Sequence, residues 1–184
     1  PNPGGVVRNR GTVVTYITVA TFGWFFYGLG PCLNLLGAEL DLSPVLVSLH
    51  TTSYAFGIAV GGFITPRLSQ RIGRGRTLRL SNFALAIAFV LLTLGHHPIA
   101  TIASTFLIGI PATVGVSLTA SYLDEAHGGG AVALTEANVL AAVAGLFSPV
   151  VVGGLVAAGY GWRPAVWLAA VAFLLIEWRR GLVS

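Results

Sequence analysis

Residues 70–76 read Gln-Arg-Ile-Gly-Arg-Gly-Arg and separate two long apolar segments in a chain that carries few charges. Arg67 and Arg79 flank this stretch and add to its positive charge. Short connections that are rich in arginine stay on the cytoplasmic side of a membrane. The stretch is therefore predicted to be a short cytoplasmic loop that fixes the orientation of the segments on either side of it.

The composition identifies the solvent. Charged residues make up 9% of the 184 residues, against about 25% in soluble domains, so most of the surface is expected to face lipid. The basic residues are all arginine and lie at the ends of apolar runs, so the pI of 9.9 reflects membrane topology rather than nucleic-acid binding. Cys32 is the single cysteine, so no internal disulfide can form, and no metal-ligand spacing surrounds it.

Apolar segments then set the fold class. Six of them follow in order, over residues 12–36, 44–68, 77–94, 99–123, 131–158 and 164–178. At about 1.5 Å per residue the first five cover the hydrocarbon core, and the sixth reaches across it if Trp162 and Trp178 anchor its ends. The runs are too long and too uniformly apolar for β-barrel strands. Ser43-Pro44, Pro98 and Pro164 are typical of helix starts. The prediction is an all-α, polytopic membrane protein with six transmembrane helices.

The arginines also predict the orientation. Basic residues precede the first segment, fill the second connection and follow the sixth, which places them on one side of an even number of spans. Arg163 is the exception, and it lies on the side of the connection that holds Glu39 and Asp41. Residues 1–11 are therefore expected to be a cytoplasmic tail and residues 179–184 a cytoplasmic end, in the inner (plasma) membrane of a bacterium.

The second connection resembles a signature of the major facilitator superfamily. In that family it runs Gly, three residues, Asp, Arg, any residue, Gly, Arg, then a basic residue. The corresponding positions here are Pro66, Gln70, Arg71, Gly73, Arg74 and Gly75, with Arg76 one place late. The resemblance implies a cytoplasmic gate, in which the family's Asp helps to lock two halves together. Gln70 stands in its place and keeps hydrogen bonding without the charge.

Two more stretches resemble the same family. The fifth segment contains small residues and a proline, as the family's antiporter motif does, at Gly145, Ser148, Pro149, Gly153 and Gly154. Small residues let helices approach closely, and a proline bends a helix. Residues 160–164 (Tyr-Gly-Trp-Arg-Pro) resemble the family's entry into helix six. The resemblance implies the amino-terminal six-helix half bundle of such a transporter.

The fourth segment departs from the family pattern. Many proton-coupled members carry an arginine four residues before a glycine in this helix, but Thr105 precedes Gly109 here. No basic residue lies anywhere within residues 99–123, so coupling through that arginine is excluded.

Polar side chains inside the predicted helices are candidate site residues, because an ionisable group in the membrane is costly unless it faces protein or water. Glu136 lies near the start of the fifth helix, next to Thr135 and two residues before Asn138. A carboxylate there would bind a cationic substrate or take up a proton. The alternative is that it lies at the headgroup level and pairs with an arginine.

Aromatic and amide side chains extend this set. The first helix contributes Trp24, Tyr27 and Asn34, and the second contributes Tyr54. The resemblance implies that helices one, two, four and five line a central cavity, so these residues are expected to contact substrate. The alternative reading of each aromatic is an interface anchor or a packing residue.

The expected function is transport of small organic solutes or drug-like amphiphiles by alternating access, with proton-coupled efflux as the finer hypothesis. The alternative is a six-span assembly or sensory subunit that does not transport. Enzymatic activity is not expected, since the chain has no P-loop and no nucleophile–base pair.

The expected partners are the lipid bilayer, a small-molecule substrate and a second six-helix bundle, from the same chain or another copy. Nucleic acid, metals and cofactors are not expected.

Overall fold

The computed structural model describes residue 6, residues 8–127 and residues 130–181. These residues form six helices and no strand: α1 (Arg10–Glu39), α2 (Pro44–Ile72), α3 (Arg74–Leu94), α4 (Pro98–Ala126), α5 (Ala131–Ala157) and α6 (Arg163–Gly181). The predicted tail (1–11) and cytoplasmic end (179–184) extend into residues 1–5, 7 and 182–184, which lie outside this description. The all-α fold class predicted from the sequence is confirmed.

Five of these helices are long and apolar enough to cross a membrane. They are α1 to α5. In each, the most apolar window, a stretch of 18 residues, has a mean hydropathy between 1.2 and 2.3. The sixth, α6, has 19 residues and carries Arg179 and Arg180 in its last turn. It packs against α3 and α1 as part of the same bundle.

The prediction of a loop over residues 70–76 is wrong. Helix α2 continues to Ile72 and α3 begins at Arg74, so Gly73 alone separates them. Gly73 has φ 84° and ψ 151°, a conformation that side chains with a Cβ rarely adopt. Its N–H donates to Ser69 O and its C=O accepts from Thr77 N, each at 3.0 Å, so both helices bond up to the glycine. Arginine is a good helix former, which explains why the basic residues belong to helices.

Most helix starts follow the predicted capping signals. Ser43 accepts a hydrogen bond from Leu46 N at 3.4 Å and Pro44 opens α2, while Pro98 opens α4. Helix α6 begins one residue earlier than predicted, at Arg163. Helices α1, α3 and α5 begin at the same end of the bundle. We call this end "the arginine-rich end" and the other "the opposite end".

Glycines set the closest helix pairs. Helix α2 packs mainly on α4, and α1 mainly on α5. A Cβ on Gly57 of α2 would collide with the carbonyl oxygen of Phe106, and one on Gly109 of α4 with that of Tyr54. Gly23 of α1 meets the backbone of Ala141 in the same way. Small residues at these crossings let the backbones touch, which is how membrane helices associate without a hydrophobic driving force between them.

An aromatic core joins α1, α3 and α6. The ring centroids of Phe25 and Phe89 lie 4.3 Å apart, and those of Phe22 and Phe173 lie 4.9 Å apart. Helix α2 reaches this core with Tyr54, and α5 reaches it with Val152 and Leu155. Only 17% of the residues in their most apolar windows are buried, against 50% in α1, α3 and α4. Two helices of the bundle therefore present largely uncovered faces.

Candidate functional site

Glu136 contacts the start of α1. Arg8 Nη2 donates to Glu136 Oε1 at 2.5 Å, and the Tyr16 hydroxyl donates to Oε2 at 2.8 Å. The hydrogen bond to the carboxylate, and its charge, raise the pKa of the Arg8 guanidinium above its ordinary value. The contact ties the residues before α1 to the first turns of α5, so Glu136 has the arginine partner that the alternative interpretation required.

The structure separates Glu136 from Asn138. Two residues along a helix are about 200° apart, so the two side chains leave α5 on different sides. Glu136 is turned toward Tyr16, while Asn138 is exposed and has no side-chain hydrogen bond within the described ranges. The Thr135 hydroxyl donates to the Ala131 carbonyl of its own helix at 2.7 Å, and no second partner lies in the part of the chain that is described. The expected polar cluster on α5 is therefore dispersed.

Tyr27 and Asn34 share a face of α1. Together with Gly30 they recur at helical spacing, and all three are exposed. A Cβ on Gly145 of α5 would collide with the Tyr27 ring, so the tyrosine lies directly across that glycine. The packing role predicted for Gly145 stays a prediction, and this contact is where it would act.

Asn138 belongs to the same surface. It precedes Gly145 by seven residues, two helical turns, and so lies on the same side of α5 as the contact with Tyr27, about 10 Å nearer the arginine-rich end. Asn34 lies toward the opposite end. We call the surface formed by Tyr27, Asn34 and Asn138 the α1–α5 face. This face extends along the bundle from Asn138, nearer the arginine-rich end, to Asn34, nearer the opposite end. It combines one aromatic ring with two amides.

Trp24 and Tyr54 are directed elsewhere. The Trp24 indole N–H donates to the Ala165 carbonyl of α6 at 3.4 Å. Its ring lines an apolar cavity of about 440 Å³ between α1, α5 and α6. Tyr54 packs between α1 and α2, with its ring 6.4 Å from that of Phe25 and 6.3 Å from that of Phe26. Its hydroxyl is buried and has no hydrogen-bond partner in the described part of the chain.

Of the remaining motif residues of α5, Ser148 is buried beside Gly28 of α1, whereas the others are uncovered. Pro149 is exposed, and a Cβ on Gly153 or Gly154 would meet nothing within 4 Å. Within the described residues these two glycines therefore contact no neighbouring helix. Their predicted packing role stays a prediction that requires a further partner.

The signature residues lie at the arginine-rich end. Arg74 forms an ion pair with Glu125 at the end of α4. Gln70 and Arg71 are exposed, and neither side chain has a partner among the residues that the structure describes. The gate residues Gln70 and Arg71 are thus both exposed in the last turn of α2, before Gly73.

A buried carboxylate was missed from the sequence. Glu177 lies beside Arg179 and Arg180 near the end of α6, but it is 4% exposed. Asn82 Nδ2 donates to Glu177 Oε1 at 2.6 Å, and Arg180 Nη1 donates to the same oxygen at 3.2 Å. Arg79 Nε lies 3.7 Å from Oε2. The only sequence signal was the apolar run that precedes Glu177, which places it one turn inside α6.

At the opposite end, Arg163 closes the bundle. Its guanidinium donates to both oxygens of Glu39, at 2.9 and 2.6 Å, and to the Thr93 carbonyl at 2.9 Å. The Trp162 indole donates to Glu39 as well, at 3.1 Å. The bidentate ion pair joins α6 to α1, and the hydrogen bond to Thr93 joins the same arginine to α3.

Comparisons with known proteins agree with this architecture. Residues 15–179 match the family model described as Major Facilitator Superfamily. Over 116 aligned residues the chain is 33% identical to "Putative metabolite transport protein YfiG" of Bacillus subtilis (strain 168), covering 56% of this chain and 23% of that protein. A crystal structure of a mutant of peptide transporter POT in complex with sulfate superimposes with a TM-score of 0.76 at 19% identity. That match covers 95% of this chain and 38% of the other, so the chain spans well under half the length of both proteins.

Proposed function

The chain belongs to the major facilitator superfamily, and from this premise we propose that it forms one wall of an alternating-access transporter for small organic solutes. The α1–α5 face carries the proposal. A ring and two amides on an otherwise apolar bundle suit a neutral or weakly charged amphiphile, because they offer stacking and hydrogen bonding without a fixed charge. A scaffold helix facing only lipid would have no use for exposed amides.

The second wall is proposed to be another six-helix bundle. The uncovered sides of α2 and α5 support this, since Gly62, Gly153 and Gly154 would let partner helices approach closely there. Gln70 and Arg71 would then meet the partner at the arginine-rich end and act as its gate. The partner is either a continuation of the chain or a second copy. Transport by a monodisperse six-helix monomer would rule this out.

Coupling is proposed to involve Glu136. Protonation of its carboxylate would remove the ion pair with Arg8 and loosen the start of α1 from α5, while the Tyr16 hydrogen bond could persist. Such a step would let a proton gradient bias the two orientations of the bundle. Efflux by proton exchange is the direction that we propose.

Solute binding tests the proposal directly. The purified protein would be screened against neutral and cationic amphiphiles for a ligand-dependent rise in thermal midpoint, and hits would be followed by flux into liposomes. We expect Asn34→Leu and Asn138→Leu each to weaken binding about five-fold, the value of one net hydrogen bond. Tyr27→Ala should do the same through lost stacking, whereas Tyr160→Ala, an exposed tyrosine outside the α1–α5 face, should not. If no solute binds or crosses the membrane even with a second bundle present, the chain is an assembly or sensory subunit.

A further inference from the structure

A second cavity opens at the arginine-rich end, between α1, α3, α4 and α6. Its volume is about 530 Å³. Val14, Leu78 and Leu118 form its inner wall, since each lies at least one helical turn further from that end than the charged residues. The outer rim carries the charges, namely Arg10, Arg74, Arg179, Arg180 and Glu125. The cavity thus has an apolar floor beneath a cationic rim.

The rim has a positive excess. Glu125 is the carboxylate that lines the cavity, and it pairs with Arg74. Arg10 and Arg179 have no carboxylate partner among the residues that the structure describes, and the Arg179 guanidinium lies 5.9 Å from the centroid of the Trp178 ring. Both guanidinium groups are exposed, so they add two positive charges to the rim that would attract an anion.

Arg180 is fixed in position before any ligand arrives. It bonds Glu177 Oε1 and Thr18 Oγ1, each at 3.2 Å, and Glu177 is itself buried and bonded to Asn82. Bonds of this kind hold a side chain in place for recognition. A guanidinium has five N–H donors, so those of Arg180 that bond neither Glu177 nor Thr18 remain for a phosphate oxygen. The buried network therefore holds a phosphate-binding group at the cavity rim.

We propose that this cavity binds an anionic phospholipid, with its phosphate among the rim arginines and the first part of an acyl chain along Val14, Leu78 and Leu118. A free phosphate would make no use of the apolar wall, and a zwitterionic lipid would leave the positive excess uncompensated. The rim lies at the ends of membrane-crossing helices, where headgroups are found, and basic pockets between such helices bind them. None of the lining residues belongs to α2 or α5, so the site is separate from the proposed partner surface.

Binding of phosphatidylglycerol to the purified, detergent-solubilised protein tests this. Native mass spectrometry would count bound lipids, and a titration would give the affinity. An Arg10→Gln, Arg179→Gln double variant should bind phosphatidylglycerol about 25-fold more weakly, at about five-fold per arginine. Arg71→Gln with Arg76→Gln is the matched control. It removes the same charge from the same end but does not line the cavity, and it should keep nearly the full affinity.

A second variant fills the cavity without removing any charge, so it tests the two contributions to lipid binding separately. Gly75 lines the cavity and has nothing within 4 Å of its Cβ position, so Gly75→Leu should occupy the mouth while every arginine stays. It should also weaken binding. Equal losses in the two arginine pairs would overturn the proposal in favour of unspecific surface attraction. Binding of phosphatidylcholine, or of glycerol phosphate without acyl chains, as tight as that of phosphatidylglycerol would also overturn it.

Discussion

The Tyr16 hydroxyl of α1 donates a hydrogen bond of 2.8 Å to Glu136 of α5, on the carboxylate that also pairs with Arg8. Both carboxylate oxygens are therefore engaged by α1 and the residues before it. Helices α1 and α5 run in the same direction and pack extensively on each other. The contact lies between their first turns. Release of this contact would remove the two side-chain hydrogen bonds that Glu136 makes to α1 and to Arg8.

Glu136→Gln tests whether this contact responds to protons. Glutamine keeps the shape and hydrogen bonding of glutamate but cannot ionise. We expect substrate binding or transport to fall sharply or to lose its dependence on pH, while the amount of folded protein in the membrane stays near normal. The measurement is flux across a series of pH values.

Tyr16→Phe is the control for this experiment, because it removes one hydrogen bond and leaves the ionisable group in place. Tyr16→Phe should keep a pH-dependent activity, even if its midpoint shifts because the hydrogen bond to the carboxylate is lost, whereas Glu136→Gln should not. A collapse of expression in Glu136→Gln would instead identify Glu136 as a structural partner of Arg8. An unchanged activity and pH profile would identify it as an interface carboxylate.

The α2–α4 crossing gives a prediction on stability. Gly57→Ala places a methyl group against the Phe106 carbonyl oxygen, and backbone cannot move aside cheaply. We expect unfolding in detergent to become easier by about 1–3 kcal/mol, the usual cost of overpacking. Gly62→Ala, on the same helix but with nothing within 4 Å, should be neutral or stabilising by up to about 1 kcal/mol, because alanine is the better helix former. Two variants with the same midpoint would contradict the close backbone contact.

Helix number and approximate position could be predicted from the sequence because a membrane leaves few alternatives. Apolar runs of spanning length must be helical, and Ser43-Pro44 begins α2 by a local hydrogen bond that needs no tertiary information. Gly73 shows the limit of this reasoning. Arginines signal the side of the membrane whether they lie in a loop or in a helix end, so charge could not reveal that one glycine separates α2 from α3.

The site was less predictable because its contacts are distant in sequence. Glu136 and Arg8 are 128 residues apart, and Asn82 and Glu177 are 95 residues apart. No periodicity within one helix indicates which partner a carboxylate will find on another. Proximity in sequence was also misleading, since Asn138 follows Glu136 by two residues but points to a different side of α5.

Glu177 offers a stability prediction that separates buried from exposed ion pairs. Glu177→Ala leaves Arg180 without its carboxylate in a mostly buried position and removes the partner of Asn82. We expect a loss of about 2 kcal/mol, below the full value for a buried pair because Arg180 keeps 22% of its side-chain exposure. Glu125→Ala removes an exposed partner of Arg74 and should leave the unfolding midpoint unchanged. Equal effects in thermal unfolding would show that the Glu177 network is not buried as described.

Orientation is tested by labelling single cysteines in intact cells. The arginine-rich end is predicted to be cytoplasmic, because arginines near helix ends are retained on that side. Gly75 lies at that end and His97 at the opposite end, and both positions are exposed. A cysteine at position 97 should react with a membrane-impermeant thiol reagent added outside, whereas one at position 75 should react only after the membrane is opened. The native Cys32 is 3% exposed and should contribute little background, which the protein without an added cysteine would measure. Labelling in the reverse pattern would invert the topology and place the gate residues Gln70 and Arg71 on the outside.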